Sequence, residues 1–301
     1  MAERDVKDFR IRLRYLDEVI SLLFPPSTTS SARTLVPSRL VPRRLVPRAP
    51  WHVGGRVLVP DGPDTIETHL GDVLGRRVRA TLHVRPARRA NRKPILELYG
   101  DAGLLAFVKI GDQPHTRDLI RHEADTLRAI ARHPFDVVVA PKVLHHGMWR
   151  DLDVLVLTPL PVTKGKPSAD LLAAAAQEIA ALGKGAWHGD FSPWNVAPMG
   201  DRLLVWDWER FGTGVPAGFD TLHYFFQTAL RRMRPAAAAK ACVAQSGRLL
   251  EPYGISYEEA RVTAAAYLMT LAERHRADGH EPLGSPARWL NPAVDGLEPL
   301  T

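Results

Sequence analysis

The chain has 301 residues, 45% of them hydrophobic, so it is long enough to bury a substantial core. Its net charge is +7 at pH 7, and its single cysteine, Cys242, excludes an internal disulfide and a cysteine-based metal cluster. Charged residues interrupt every apolar stretch before it reaches the roughly 20 residues that span a bilayer, and the apolar run 19–24 is too short for a secretion signal. We therefore expect a soluble, cytoplasmic protein with no transmembrane segment.

Arginines are concentrated in the amino-terminal third of the sequence. The basic residues of this part include Arg33, Arg39, Arg43, Arg44, Arg48, Arg76, Arg77, Arg79, Arg85, Arg88, Arg89, Arg92 and Lys93. A basic surface suits nucleic acid, an anionic membrane or a polyphosphate ligand, and charge alone does not choose among them. Many such charge runs are simply solvated.

The first fifty residues are predicted to form a helix and an Arg/Pro-rich extension. Apolar residues recur at helical spacing over 5–24, and Pro25 and Pro26 end the pattern. A Ser/Thr-rich linker and a five-residue Leu-Val-Pro repeat over 35–48 follow, and the prolines of the repeat favour extended structure. We interpret the repeat as a surface linker.

Residues 51–160 are predicted to form a strand-rich domain. Alternating patterns over 78–84, 94–99 and 104–110 indicate an antiparallel meander, and 115–132 has the apolar spacing of a helix. Two further strands, 137–140 and 152–157, are expected around a turn at His145 and His146. We interpret these histidines as turn residues, because no third metal ligand stands at a suitable spacing.

Residues 161–301 are predicted to be mainly helical. Ser168 is a suitable N-cap for a helix over 169–182, and Gly183 is a suitable stop. Alanine-rich helical patterns cover 219–252, interrupted at Pro235, and 257–277. Strands followed by helices predict an α+β fold.

One motif stands where the strand-rich part meets the helical part. It reads His188-Gly-Asp190-Phe-Ser-Pro-Trp-Asn195, and Asp207 follows twelve residues later in Asp-Trp-Glu. The motif resembles the catalytic loop of aminoglycoside phosphotransferases and choline kinases, and Asp207 takes the place of the metal-binding aspartate of kinases. The resemblance implies a two-lobed protein-kinase-like fold with an antiparallel-sheet N-lobe and a mainly helical C-lobe.

The resemblance also implies roles for the residues of the motif. Asp190 is expected to accept the proton of a hydroxyl group, and Asn195 and Asp207 to hold Mg²⁺ against the phosphates of ATP. His188 is expected to order the loop by hydrogen bonding, and Asp220 to brace it. Glu209 is expected to support the site. Four tryptophans are expected to pack around the loop: Trp187, Trp194, Trp206 and Trp208. Of these, Trp194 is also a candidate to face the acceptor.

The nucleotide-binding half of the site is expected in the first domain. Lys109, near the end of the third strand, is the candidate phosphate-binding lysine, and Glu123 on the next helix is its candidate partner. Asp118 and Asp125 on the same helix compete with Glu123. The segment Thr158, Pro159 and Leu160 resembles the interlobe hinge, whose main chain would bind adenine.

The loop 85–93 differs from the glycine-rich loop of protein kinases because it is basic. We hypothesise that Arg88, Arg89 and Arg92 cover the triphosphate. The absence of the glycines argues against a protein-serine/threonine kinase more than against a small-molecule kinase.

The sequence thus predicts an ATP- and Mg²⁺-dependent phosphotransferase acting on a hydroxyl group of a small molecule. Only residues 161–187 separate hinge and catalytic loop, so the acceptor site is expected mainly after Phe211. That region is not strongly acidic, which favours a neutral or anionic acceptor, such as a sugar or glycoside, over a polycationic aminoglycoside. No nucleic-acid partner is expected. The alternatives are a catalytically silent kinase-like binding protein, a protein-serine/threonine kinase, and a nucleic-acid binder that uses the arginine repeat.

Overall fold

The computed structural model describes residues 2–36, 55–83, 91–163, 165–279 and 282–295, without the side chains of residues 2–10, 12 and 13. The chain divides into two compact units. The first comprises Met1–Ala124 and Lys142–Pro159, and the second comprises Asp125–Pro141 and Leu160–Thr301.

The first unit is built on one sheet with helices before and between its strands. Its strands are β1 (Thr29–Val36), β2 (Gly55–Asp61), β3 (Arg79–His83), β4 (Ile95–Gly100), β5 (Gly103–Gly111), β7 (Val143–Trp149) and β8 (Leu152–Leu157). Strand β6 (Val138–Val139) belongs to the second unit. Its helices are α1 (Ala2–Leu23), α2 (Ile66–Leu74) and α3 (Pro114–Ile130), the last of which continues into the second unit.

The order of strands in this sheet is β2-β1-β3-β4-β5-β8-β7. From β3 to β7 every neighbouring pair is antiparallel, and Lys109 of β5 stands opposite Ile95 of β4 and Leu155 of β8. The predicted meander of three strands is therefore confirmed as β3, β4 and β5. Burial alternates along β5, so Ala106 and Val108 enter the core while Lys109 lies on the other face.

The Ser/Thr-rich stretch after α1 is a strand, and our prediction of a linker there was wrong. Strand β1 pairs antiparallel with β2, from Thr29 opposite Asp61 to Leu35 opposite Gly55, and parallel with β3. Its partners are distant in sequence, and it buries Leu35, so long-range pairing overrides its weak local signal. Most of the Leu-Val-Pro repeat, residues 37–48, lies outside the described residues.

A buried arginine joins β1 to its neighbours. Arg33 is 6% exposed and donates to both carboxylate oxygens of Glu67 on α2, at 2.6 and 2.7 Å, and to Asp61 at 3.2 Å. Glu67 also accepts the main-chain N–H of Ala80 at 2.7 Å. A bidentate pair that is further hydrogen-bonded compensates for the burial of its charges.

Helix α1 covers the predicted helix of residues 5–24 and packs on this core. Tyr15, Leu16, Val19 and Leu23 are buried in one hydrophobic cluster with residues of the strands of this unit. These positions repeat at intervals of three and four, so one face of the helix is apolar. The predicted helix is confirmed, and its apolar face lies in the core of the first unit.

We predicted a turn at His145 and His146, but both residues lie within strand β7. The hairpin turn lies further on, at Arg150 and Asp151, where Arg150 has a φ of 51°. Strand β7 pairs with β8, with His146 opposite Leu155. The glycine after the histidines suggested a turn, but strand pairing with the strongly apolar β8 decides the structure here.

The second unit is mainly helical. Its strands are β6 (Val138–Val139), β9 (Val196–Met199) and β10 (Arg202–Val205), and its helices are α4 (Ala169–Ala180), α5 (Phe219–Ala229), α6 (Pro235–Leu250), α7 (Tyr257–Ala277), α8 (Pro286–Trp289) and α9 (Asn291–Val294). The predicted strand 137–140 shortens to β6 and pairs in parallel with β10, while β10 pairs antiparallel with β9. It is therefore not a neighbour of β8.

The starts of the helices of this unit follow local chemistry, whereas α4 ends at Ala180, before the predicted end at 182 and stop at Gly183. The Ser168 side chain accepts the N–H of Leu171 and caps α4, and Pro235 occupies the first turn of α6, where its missing N–H costs nothing. Ser256 and Glu259 form a capping box at the start of α7. Helices α5, α6 and α7 bury one shared apolar cluster, which includes Phe226.

The α+β fold class, with a sheet-based part followed by a mainly helical part, is confirmed by these elements. The sheet is mixed and not purely antiparallel as predicted, because β1 pairs in parallel with β3. None of the helices in the described part of the chain combines the length and the apolar character that a bilayer crossing requires.

Candidate active site

An ion pair in the first unit joins β5 to α3. Lys109 Nζ donates to Glu123 Oε1 at 2.7 Å and to Oε2 at 2.6 Å. The Glu123 side chain is fully buried, and the Lys109 side chain is 12% exposed. The two competing acids are 75% exposed, and each contacts an arginine of its own helix turn: Asp118 with Arg121, and Asp125 with Arg128. The structure therefore pairs the lysine with the glutamate.

The hinge-like segment begins with ordered main-chain contacts. The N–H of Thr158 donates to the carbonyl of Lys142 at 2.9 Å, and the Thr158 hydroxyl accepts the N–H of Lys142 at 2.8 Å. Pro159 has no N–H to donate. The carbonyl of Leu160 accepts the N–H of Val162 at 2.8 Å. Among Thr158, Pro159 and Leu160, the N–H of Leu160 is the one that takes no part in the bonds just described.

The basic loop of the first unit lies only partly within the described residues. Arg88 and Arg89 lie outside them, so nothing follows for their predicted role. Arg92 contacts Glu18 of α1 at 3.2 Å, and its guanidinium lies 5.1 Å from the centre of the Tyr15 ring. Arg92 is thus bound to α1 in this structure.

The motif of the second unit turns tightly at Gly189. Its φ is 82°, and a Cβ at this position would lie 2.0 Å from the carbonyl oxygen of Arg210. Asp220, buried at the start of α5, accepts the N–H of His188 at 2.7 Å and that of Gly189 at 3.2 Å. The expected bracing of the loop by Asp220 is confirmed. Burial raises the pKa of Asp220 to about 7. The two N–H groups act in the opposite direction and lower the pKa, because they stabilise the carboxylate.

The carboxylate of Asp190 receives donors from two directions. Asn195 Nδ2 donates to Asp190 Oδ2 at 2.9 Å and to its main-chain oxygen at 3.0 Å. His223 Nε2 lies 3.0 Å from Oδ1. Burial acts to raise the pKa of Asp190, but the hydrogen bond from His223 and the nearby Arg274 hold the pKa below its usual value. The carboxylate is thus anionic at neutral pH, and its side chain is 27% exposed.

His188 forms a hydrogen bond within the loop. Its Nδ1 accepts the N–H of Asp190 at 3.2 Å, and its ring meets that of Trp208 edge-on at 4.7 Å. Burial lowers the pKa of His188 to about 4, despite the nearby carboxylates of Asp190 and Asp207. A neutral ring that accepts at Nδ1 carries its proton on Nε2, so His188 is an internal support of the loop.

The hairpin of β9 and β10 places the two predicted metal ligands near each other. Asn195 precedes β9 and Asp207 follows β10, and the N–H of Trp206 donates to the carbonyl of Asn195 at 3.1 Å. Asp207 has a φ of 71°, a left-handed conformation that costs a non-glycine residue free energy. The Asn195 amide gives its nitrogen to Asp190, so its oxygen is the atom suited to a cation. One amide oxygen and one carboxylate are hard donors of the kind Mg²⁺ prefers.

The tryptophans near the motif and Glu209 differ in their burial. Trp208 is fully buried, and its Nε1 donates to the carbonyl of Val205 at 3.0 Å. Trp187 and Glu209 are also buried, whereas Trp194 and Trp206 are partly exposed. The expected packing of tryptophans around the loop is confirmed for Trp208 and Trp187.

Three polar residues at the loop were missed by sequence reasoning: His223, Tyr267 and Arg274. His223 contacts Asp190, and the hydroxyl of Tyr267 lies 3.0 Å from His223 Nδ1. Arg274 donates to the carbonyl of Gly189, and its guanidinium lies 5.6 Å from the centre of the Trp187 ring. His223 follows the bracing Asp220 by three residues on one helix, and this spacing is the signal that would have identified it.

Similarity to known proteins is limited to solved structures. The sequence matches no protein-family model and no curated protein. A provisionally assigned fructosamine-3-kinase from Haemophilus somnus is 13% identical, with a TM-score of 0.49 over 78% of this chain and 97% of that one. The amicoumacin kinase hAmiN is 10% identical, with a TM-score of 0.39 over 68% of this chain and 84% of its own. The PknI kinase domain of Mycobacterium tuberculosis is 14% identical, with a TM-score of 0.35 over 63% and 94%.

Proposed function

We propose that this protein is an ATP-dependent phosphotransferase that moves the γ-phosphoryl group to a hydroxyl group of a small molecule. The observation that carries the proposal is the anionic carboxylate of Asp190, held through both of its oxygens beside Asn195. A partly exposed carboxylate with fixed orientation suits the acceptance of a proton from a hydroxyl group. Asp190 is the proposed base.

Asn195 Oδ1 and the Asp207 carboxylate are the proposed ligands of Mg²⁺. When bound, the cation neutralises charge on the phosphate oxygens of ATP during transfer. The hairpin of β9 and β10 fixes the backbone of both ligands, so little reorganisation is needed at the moment of reaction. Glu209 and His188 support this arrangement from the buried side.

Lys109 is the proposed partner of the nucleotide phosphates, and Glu123 holds its side chain in place. The Lys109 side chain is 12% exposed, and a buried carboxylate anchors its amino group. Thr158, Pro159 and Leu160 are proposed to bind the adenine edge. Since Thr158 N–H is donated to Lys142 and Pro159 has none, the donor in this segment would be Leu160 N–H.

The proposed acceptor is neutral or anionic, and the residues that bind it are expected mainly after Phe211. In the segment 161–187, α4 is the helix that the described residues form, which leaves little chain there for an acceptor site. The segment between α5 and α6 carries three arginines, Arg231, Arg232 and Arg234, all exposed. A polycationic acceptor would be repelled by such a surface. A sugar, a glycoside or another hydroxyl-bearing metabolite fits better.

A screen of hydroxyl-bearing metabolites with ATP and Mg²⁺, read as ADP release, tests the proposal. We expect acceptor-dependent turnover that falls by about 10²- to 10⁴-fold in Asp190→Asn, because the base is lost. Nucleotide binding without turnover for every acceptor would instead support a catalytically silent binding protein. Turnover unchanged in Asp190→Asn would exclude Asp190 as the base. Phosphorylation of a protein rather than of a metabolite would support the protein-kinase alternative.

A further inference from the structure

A chain of polar side chains runs from the helical core of the second unit to Asp190. Tyr267 of α7 and His223 of α5 have no exposed side-chain surface, and Asp190 stands at the outer end of the chain. The Tyr267 hydroxyl lies 3.0 Å from His223 Nδ1, and His223 Nε2 lies 3.0 Å from Asp190 Oδ1. Each member comes from a different element, so their alignment depends on the packing of α5 and α7.

The direction of the hydrogen bonds in this chain follows from the partners. A carboxylate only accepts, so His223 must donate to it from Nε2. Burial lowers the pKa of His223, although Asp190 opposes the shift, and the neutral ring then carries no proton on Nδ1. Burial also raises the pKa of Tyr267 well above its usual value, so its hydroxyl keeps the proton that it donates to Nδ1. Tyr267 therefore selects the one neutral tautomer of His223 that can donate to Asp190.

The hydrogen bonds to Asp190 restrain the orientation of its carboxylate. Asn195 holds Oδ2 at 2.9 Å and His223 holds Oδ1 at 3.0 Å, so rotation of the Asp190 carboxylate breaks at least one bond. Buried histidine and tyrosine in an otherwise apolar cluster cost free energy unless their polar atoms are paired. The polar atoms of His223 and Tyr267 are both hydrogen-bonded, and these bonds end at Asp190, which is partly exposed.

We propose that His223 is the residue that positions Asp190 for proton acceptance, and that Tyr267 fixes the tautomer with which it does so. This inference rests on the proposed phosphotransferase function. It assigns His223 no proton transfer of its own, because Tyr267 occupies Nδ1. Loss of the Nε2 donor frees the carboxylate to rotate, and the rate of transfer falls while the binding of ATP is unaffected.

A matched pair of substitutions tests the proposal. His223→Gln keeps an N–H donor at about the position of Nε2, whereas His223→Met has similar length and no donor. We expect kcat to fall by about 10- to 100-fold in His223→Met, as for other residues that orient a reacting group, with KM for ATP within about twofold of wild type. His223→Gln should recover most of the lost kcat. Equal losses in both variants, or a loss expressed only in KM, would overturn the proposal.

A measurement on the unmodified protein does not depend on activity or on the folding of a variant. The ¹⁵N spectrum of the histidine-labelled wild type should show His223 as the neutral tautomer with its proton on Nε2. In a separate experiment, Tyr267→Phe should lose this selection. A proton on Nδ1 in the wild type would refute the inference, even if phosphoryl transfer is confirmed. Conversely, a protein with no transfer activity refutes the proposed function, and the arrangement of His223 is then judged on this tautomer alone.

Discussion

Gly189 determines the geometry of the catalytic loop at the scale of one residue. A side chain here would meet the Arg210 carbonyl at 2.0 Å, at a φ of 82°. We expect Gly189→Ala to lower the free energy of unfolding by at least about 3 kcal/mol, because strain and overlap add. Gly200→Ala is the matched control, because Gly200 also has positive φ, at 64°, but a Cβ there would have no atom within 4 Å beyond its chain neighbours. It should cost only about 1 to 2 kcal/mol. Urea unfolding measures both, and equal costs would contradict the argument.

His188 gives a pH dependence whose sign can be worked out. Its pKa is about 4 in the folded protein against 6.5 ordinarily, so between these values the unfolded chain binds a proton that the folded protein does not. Stability contributed by His188 is therefore complete above pH 6.5 and is lost as the pH falls towards 4, by up to about 1.4 kcal/mol per pH unit. His188→Asn keeps an acceptor near Nδ1 but does not titrate.

The difference in unfolding free energy between wild type and His188→Asn isolates this effect, because other groups titrate alike in both. Urea unfolding at pH 7, 6, 5 and about 4.5 should show the advantage of the wild type shrinking as the pH falls. A constant difference across this range would mean that His188 does not titrate as described.

At the scale of elements, the pair of Lys109 and Glu123 joins β5 to α3. Removal of the lysine leaves a carboxylate with no exposed surface and without its cation, and this is expected to cost about 3 to 5 kcal/mol. Lys109→Met should therefore destabilise strongly, and the double variant Lys109→Met with Glu123→Met should recover much of the loss. Asp118→Asn, which alters a residue that is 75% exposed, should change stability by less than about 0.5 kcal/mol. Thermal or urea unfolding checks all three, and a double variant no more stable than Lys109→Met would contradict the account.

Sequence reasoning identified the elements that local chemistry specifies. Strand β8 was predicted with the observed bounds, and the cap at Ser168 and the helix 257–277 also followed from local signals. Helix α2 was missed, although Thr65 caps it and Gly75 ends it with a φ of 64°. Strand β1 and the pairing of β6 with β10 could not be predicted, because their partners lie far away in the sequence.

The same division applies to the candidate site. The motif itself contains Asp190 and Asn195, so sequence alone identified them. His223, Tyr267 and Arg274 reach the loop from α5 and α7, and Arg274 is separated from Gly189 by 85 residues. No local pattern encodes such contacts. They arise from the packing of helices around Phe226 and its neighbours.

At the scale of the whole molecule, each unit of this α+β chain contains one set of residues to which the proposed function assigns a role. The first unit contributes Lys109 and Glu123, and the second contributes Asp190, Asn195 and Asp207. Phosphoryl transfer needs positioning and charge neutralisation more than covalent help, and both sets serve these needs. Loss of either set should abolish turnover for different reasons.

The most direct test is the single-turnover rate of γ-phosphoryl transfer from labelled ATP to an acceptor found by the screen, compared in wild type and Asp190→Asn. The account predicts that label reaches the acceptor in the wild type, and that the rate falls by about 10²- to 10⁴-fold in the variant with ATP affinity unchanged. Label that remains on ATP with every acceptor, or that transfers equally fast in Asp190→Asn, would contradict the central claim.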